Sequence, residues 1–231
     1  MSKWLVELGG TPRDLQFIAH YINSSELNII KEKDIFYLES KELYTDKPIT
    51  DIMVLVDDLI DILNGAAILY YPKIQRITHK QIFRIKENGE RESFALLHAQ
   101  PTDTLLYSFR DDDKTLPNWL EIGKKDEAVA RAFTLYGALE HNWRNLYMVL
   151  DVIQDDLGGE KNLIKQKWLD KNRIKLFKST ANSYRAIGKA ARHAKKSFEP
   201  PKKPMDIHDA QTLFDLLLRE WLKYKSERDK A

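Results

Sequence analysis

The chain has 231 residues, 43% of them hydrophobic, and a formal net charge of +2, which suits one large domain or two small ones. It contains no cysteine, so disulfides, thiolate metal sites and a cysteine nucleophile are excluded. No apolar run approaches the ~18 residues of a membrane span, and the N-terminus lacks the pattern of a signal peptide. A cytoplasmic protein without membrane contact is therefore predicted.

Strands and helices alternate in the first half. A helix opens at Thr11, which has the character of an N-cap residue, and an apolar helix follows over about Thr50–Leu63. Asn64-Gly65 either caps that second helix or interrupts it, and Asn88-Gly89 has the composition of a hairpin turn. The predicted strands are Lys3–Leu8, Leu27–Lys31, Ile35–Glu39, Ile74–Glu87, Glu90–Ala99 and Leu105–Phe109. Residues 1–123 are thus predicted to form an α+β domain with a mostly antiparallel sheet.

The second half shows helical periodicity alone. One long helix is predicted from Asp126 to Leu157, ended by Gly158-Gly159. A short helix around Leu163–Trp168 follows, then a basic helix after Asp170 and a last helix after Asp206. Residues 124–231 are therefore predicted to form an all-α bundle.

Charge is distributed unevenly. Residues 1–123 carry 14 Lys/Arg and 20 Asp/Glu, whereas residues 124–231 carry 23 and 15. Within residues 161–203 there are 14 basic and 2 acidic residues. Such clustering is the expected signature of a surface that binds a polyanion. A solvated lysine-rich face, or one that docks on the acidic half, would show the same pattern.

Residues 176–196 concentrate this charge on one predicted helix, because at 100° per residue its basic side chains share one face. We predict that Lys178, Lys189, Arg192 and Lys196 contact nucleic acid.

The same predicted helix carries three candidate catalytic residues, Asn182, Arg185 and His193. A histidine base and a cation for the phosphorane are what metal-free RNA cleavage requires, and Asn182 would orient the imidazole or the backbone. An unbroken helix would separate Asn182 from His193 by ~16 Å along its axis. These two side chains would then meet only across two antiparallel copies in a dimer.

Other catalytic signatures are missing from the sequence. It contains no phosphate loop, no HExxH, no GxSxG and no dinucleotide fingerprint. No cofactor and no metal site are therefore predicted.

The second half resembles a divergent HEPN-type helical bundle, of the kind found in uncharacterised bacterial and phage-borne proteins, over about residues 126–225. The residues that carry the resemblance are Trp143, Leu146-Tyr147, Ile153, Phe177, Ala181-Asn182, Ala191-Arg192-His193-Ala194, Pro200-Pro201, Pro204-Met205, Ala210, Leu217 and Trp221-Leu222. The resemblance implies a homodimer and, in many members, a metal-independent ribonuclease of toxin or phage-defence systems. The family's Arg–His motif would fall on Arg185 and His193, whose spacing is one residue longer than the motif permits.

Nucleic-acid engagement, with RNA favoured, is the leading functional interpretation, and ribonuclease activity is left open. The alternatives are a non-enzymatic protein-interaction or dimerisation module and a small-ligand sensor built on the N-terminal sheet. A homodimer through the helical half is also predicted from its aromatic content, which exceeds what a small bundle usually encloses. The aromatic residues concerned are Trp143, Tyr147, Trp168, Phe177, Phe214 and Trp221.

Overall fold

The computed structural model describes residues 2–86, 88–95, 114–137, 142–195 and 197–228. The chain divides into two compact units, Met1–Leu120 and Glu121–Ala231. The first contains an antiparallel sheet with helices and the second is helical, so the predicted α+β class is confirmed. The predicted strand over 105–109, residues 96–99 of the strand before it, and Lys196 lie outside the described residues.

The strands of the first unit are β1 (Lys3–Gly9), β2 (Leu27–Glu32), β3 (Ile35–Ser40), β4 (Thr78–Ile85) and β5 (Arg91–Ala95). They form one antiparallel sheet in the order β2-β3-β1-β4-β5. Val6 in the central strand pairs with Leu38 on one side and Ile82 on the other, and all three are buried. The β4–β5 turn contains Gly89 at φ 81°, a conformation that glycine adopts without strain.

Helix α1 (Pro12–Tyr21) begins as predicted, because the Thr11 side chain accepts a hydrogen bond from the backbone N–H of Asp14 at 3.2 Å. Asp14 is fully buried and also accepts from the backbone N–H of Gln75, again at 3.2 Å. The first turn of α1 is therefore tied to the segment that leads into β4.

Helix α2 (Ile49–Tyr70) runs past its predicted end, because Asn64 neither caps nor interrupts it. The Asn64 side chain donates to the Ile77 carbonyl at 2.8 Å, and its Oδ1 accepts from the Ile77 N–H at 2.7 Å. Asn64 is 1% exposed, so this pair of hydrogen bonds attaches α2 to the residue before β4 inside the core.

Helix α3 (Thr115–Lys125) was not predicted, and the predicted domain boundary at 123/124 falls inside it. The remaining helices are α4 (Glu127–Tyr136), α5 (Trp143–Asp156), α6 (Glu160–Gln166), α7 (Lys171–Asn182), α8 (Tyr184–Ile187) and α9 (Ile207–Arg228). The prediction of one helix over 126–157 is wrong. Gly137 caps the end of α4, and α5 begins after Asn142, whose side chain accepts from the N–H of Asn145 at 3.0 Å.

The core of the second unit is aromatic. The ring of Phe177 stacks on that of Trp143, with centroids 5.7 Å apart, and meets Phe214 edge-on at 4.7 Å. Five of the six aromatic residues that motivated the homodimer prediction are buried within one chain. Their number therefore gives no reason for a second copy, and the homodimer stays a prediction.

The predicted basic helix is interrupted. Helix α7 ends at Asn182, because Ser183 is extended (φ −91°, ψ 107°) and its hydroxyl donates to the carbonyl of Phe198 at 2.9 Å. Helix α8 is one turn long and stops at Gly188, whose φ of 60° disfavours any residue with a side chain. Residues 185–193 therefore do not continue the face of α7, and the prediction that they do is wrong.

A buried ion cluster joins three parts of the second unit. Lys225 on α9 forms ion pairs with Asp126 at the start of α4 and with Asp156 at the end of α5. Asp156 also accepts from the indole N–H of Trp221 at 2.8 Å. Burial lowers the pKa of Lys225, but hydrogen bonds to the two carboxylates outweigh burial and raise this pKa above its ordinary value.

Candidate nucleic-acid interface

Three of the predicted site residues are neutralised by carboxylates. Lys178 on α7 pairs with Glu160 at 2.8 Å, and Arg185 on α8 pairs with Glu199 at 2.8 Å. Arg192 lies 3.3 Å from the carboxylate of Asp151. Two of these three carboxylates come from outside the basic segment of residues 161–203, which is why counting charge along the sequence did not reveal them.

Arg192 is fixed more firmly than the other two. Its guanidinium lies 4.1 Å from the centre of the Tyr147 ring, a cation–π contact. Its backbone N–H donates to the carbonyl of Ala181 at 2.8 Å, so the chain after α8 returns to the end of α7. Arg192 therefore has a structural role, and its predicted contact with nucleic acid would require giving up its present partners.

The candidate catalytic histidine, His193, follows Arg192 in the segment that returns to the end of α7. The His193 ring stacks on the Phe198 ring, with centroids 5.4 Å apart and planes 19° from parallel. Phe198 is 39% exposed, although its backbone carbonyl is held by Ser183. Residues 198 and 199 are thus contacted by three side chains. His193 and Ser183 contact Phe198, and Arg185 pairs with Glu199.

Asn182 is the last residue of α7. Its Nδ2 lies 3.5 Å from the hydroxyl of Tyr147, and its Oδ1 is buried without a hydrogen-bond partner in the described ranges. Because Arg192 bonds to Ala181, the neighbours of Asn182 and His193 meet within one chain. The expectation that these two residues approach only across a dimer rested on an unbroken helix, and that premise is wrong.

Lys189 differs from the paired cations. It lies in a 3₁₀ turn, Gly188–Ala190, is exposed, and forms no ion pair with any described residue. Eight further lysines in residues 161–203 are also exposed and form no ion pair with a described residue. We call these nine exposed lysines, grouped by their position in the sequence, the lysine-rich surface: Lys161, Lys165, Lys167, Lys171, Lys175, Lys189, Lys195, Lys202 and Lys203.

A cavity of about 280 Å³ opens beside α7 within this basic segment. Its lining residues are Glu160, Lys175, Lys178, Ser179, Asn182, Phe198 and Glu199. Sequence reasoning missed Phe198 and Glu199. The signal that could have found Phe198 is that it is a large apolar residue in a polar, proline-flanked stretch, where no helical core position would require it.

Two of the three candidate catalytic residues are engaged by other residues of the same chain. The Arg185 guanidinium already binds an anion, the Glu199 carboxylate, and the His193 ring is engaged with Phe198. A phosphate at Arg185 would have to displace Glu199. These contacts thus position the loop at residues 198–199. Among the described residues they do not form a site arranged for acid–base catalysis.

In the part of the chain that the structure describes, no three His, Asp or Glu side chains gather as a metal-binding group. In the same ranges, no helix combines the length and the apolar character needed to cross a bilayer. Comparison with protein-family models, curated proteins and solved structures found no match. The HEPN-like resemblance stays a prediction.

Proposed function

We propose that the protein binds nucleic acid through the lysine-rich surface, largely without regard to sequence. The observation that carries this proposal is that nine exposed lysines within residues 161–203 have no carboxylate partner among the described residues. Phosphates could bind these lysines without displacing a carboxylate of any described residue. The HEPN-like resemblance favours RNA as the ligand and a role in phage defence or a toxin-type system.

The test is the salt dependence of binding to a labelled single-stranded RNA. Each phosphate neutralised on a single strand contributes about −0.7 to the slope of log K against log salt concentration. The triple variant Lys165→Ala, Lys171→Ala, Lys189→Ala should therefore flatten the slope by about 2. None of the three lysines forms an ion pair with a described residue, so folding should be unaffected.

A matched control removes three exposed lysines from the first unit: Lys33, Lys47 and Lys73. This second triple variant changes the net charge equally but leaves the lysine-rich surface intact. An equal loss of slope in both variants would mean that net charge, and not this surface, drives binding. Failure of the wild-type protein to bind RNA or DNA at low salt would overturn the proposal.

The geometry supports binding better than cleavage, because Arg185 and His193 hold the loop at residues 198–199. We expect labelled RNA to stay intact when incubated with the protein in EDTA. Cleavage that His193→Ala abolishes without loss of folding would restore the metal-independent ribonuclease interpretation.

A second candidate function is the binding of a small polar ligand by the first unit, where a cavity of about 430 Å³ lies. Its lining residues are Ser24, Ser25, Asn28, Glu39, Lys41 and Tyr44. The Glu39 carboxylate is bound by Lys3, which holds its pKa below the ordinary value, and it accepts from the Tyr44 hydroxyl at 3.0 Å. A thermal-shift screen of polar metabolites against wild type and Asn28→Ala tests this candidate. Stabilisation that the variant loses would support it.

A further inference from the structure

The cavity beside α7 has the size for one nucleobase. Its volume of about 280 Å³ lies just below the ~300–1,000 Å³ typical of pockets for drug-sized ligands. One flat heterocycle of the size of a nucleobase fits within this volume.

One wall of the cavity is an aromatic ring whose orientation is already fixed. Phe198 lines the cavity and is 39% exposed, although large apolar side chains are normally covered. The His193 ring stacks against Phe198 at an interplanar angle of 19°, and Ser183 holds the Phe198 backbone. A ring held this way offers a stacking surface at little entropic cost, as proteins that bind single strands do.

Another part of the lining is one face of α7. Lys175, Lys178, Ser179 and Asn182 are spaced i, i+3, i+4 and i+7, so they project from the same side of the helix. These side chains can offer hydrogen-bonding groups to the edge of a base.

The charges around the cavity indicate which part of a nucleotide lies inside. Glu160 neutralises Lys178, and Arg185 neutralises Glu199, so the interior has no excess positive charge for a phosphate. Lys175 is exposed and has no ion pair among the described residues. The phosphates would therefore lie outside, on Lys175 and other lysines of the lysine-rich surface, with an uncharged group in the cavity.

We propose that this cavity is a subsite for one unstacked base of a single-stranded nucleic acid, which stacks on Phe198 while the backbone follows the lysine-rich surface. This inference rests on the proposed function and adds a preference for single strands to it. Duplexes would be excluded from the subsite because their bases are already stacked and paired.

The experiment measures fluorescence anisotropy of a labelled 12-mer RNA, single-stranded or annealed to its complement, with the full-length protein at fixed salt. Removing an aromatic stacking partner costs single-strand binding about 5- to 150-fold in Kd. Phe198→Ala should show this loss for the single strand and none for the duplex. Its salt slope should not change, because no phosphate contact is removed, and Phe198→Trp should retain the affinity.

Tyr184 provides a matched control, because it is an exposed aromatic residue of the same segment that does not line the cavity. Tyr184→Ala should leave single-strand affinity unchanged. Should Phe198→Ala unfold the loop, Ser179→Met tests the same subsite by filling the cavity from α7 without removing a ring. We expect it to weaken single-strand binding and spare the duplex.

The outcomes separate the two proposals. If the wild type binds no nucleic acid, both fail. If it binds and Phe198→Ala and Ser179→Met bind the single strand equally well, the subsite is overturned and the lysine-rich surface stands. The same loss is expected with single-stranded DNA, since stacking does not use the 2′-hydroxyl. A loss confined to RNA, or an equal loss in Tyr184→Ala, would also overturn the stacking assignment.

Discussion

Replacing Lys225 with methionine should strongly destabilise the helical unit. The Lys225 side chain is 9% exposed and lies between the carboxylates of Asp126 and Asp156, which are 30% and 13% exposed. Methionine matches the length and the apolar stem of lysine but leaves two acids without their shared cation. The substitution thus tests the charge and largely preserves the packing.

Removing one partner of a fully buried ion pair costs about 3–5 kcal/mol. The cost here should be somewhat smaller, about 2–4 kcal/mol, because each carboxylate keeps another hydrogen-bond donor and is partly exposed. Asp156 keeps the Trp221 indole at 2.8 Å, and Asp126 keeps the backbone N–H of Val129 at 3.1 Å. Adding Asp126→Asn and Asp156→Asn to Lys225→Met should recover about 1 kcal/mol or more, since it removes both uncompensated charges.

Urea unfolding of the full chain, followed by tryptophan fluorescence, measures the change. Lys223→Met is the control: it lies two residues away on the same helix, is exposed, and forms no ion pair with a described residue. Its effect should stay within about 0.5 kcal/mol. A loss below about 1 kcal/mol in Lys225→Met would refute the reasoning that this cluster balances buried charge.

The loss of unfolding free energy in Lys225→Met should also depend on pH, and this dependence is an independent part of the prediction. The pKa of Lys225 is raised in the folded state, so its contribution is complete below the unfolded value of ~10.4 and is lost as pH rises through the folded pKa. The Asp126 pKa is lowered, because hydrogen bonds from Lys225 and backbone N–H groups outweigh the effect of burial. Its contribution is present above ~3.9 and is lost as pH falls. The loss of unfolding free energy in Lys225→Met should therefore be largest between about pH 5 and pH 10.

Three further substitutions test the fold. Asn64→Ala should cost about 2–4 kcal/mol of unfolding free energy, because it leaves the buried N–H and C=O of Ile77 without partners; thermal or urea unfolding checks this. Gly188→Ala should cost about 1–2 kcal/mol from its positive φ alone, since a Cβ there would contact nothing within 4 Å. Thr180→Val should cost about 1–3 kcal/mol, because the Met205 N–H loses its acceptor at 3.0 Å. An effect near zero in any of the three would contradict the corresponding contact.

The sequence was informative where local signals and the fold agreed. The cap at Thr11 and the glycine turn at Gly89 act over a few residues, and both formed as predicted. The ends of α2 and α7 depend on partners distant in sequence: Asn64 bonds to Ile77, and Ser183 bonds to Phe198. Periodicity carries no information about such bonds, so α2 was predicted too short and α7 too long.

The same limitation explains why counting charges along the sequence overestimated the number of cations in residues 161–203 that are available to bind a polyanion. Counterion release strengthens binding only through cations that hold mobile counterions before the nucleic acid arrives. Lys178, Arg185 and Arg192 already hold carboxylates, so a phosphate at any of them must replace a protein anion. The nine unpaired lysines and Arg173, which is exposed and forms no ion pair with a described residue, would together contribute a salt slope of about −7 on a single strand. A slope well beyond this value would indicate that the paired cations exchange their carboxylates for phosphates. In that case the loop that Arg185 and Glu199 hold would rearrange on binding, together with the Phe198 ring.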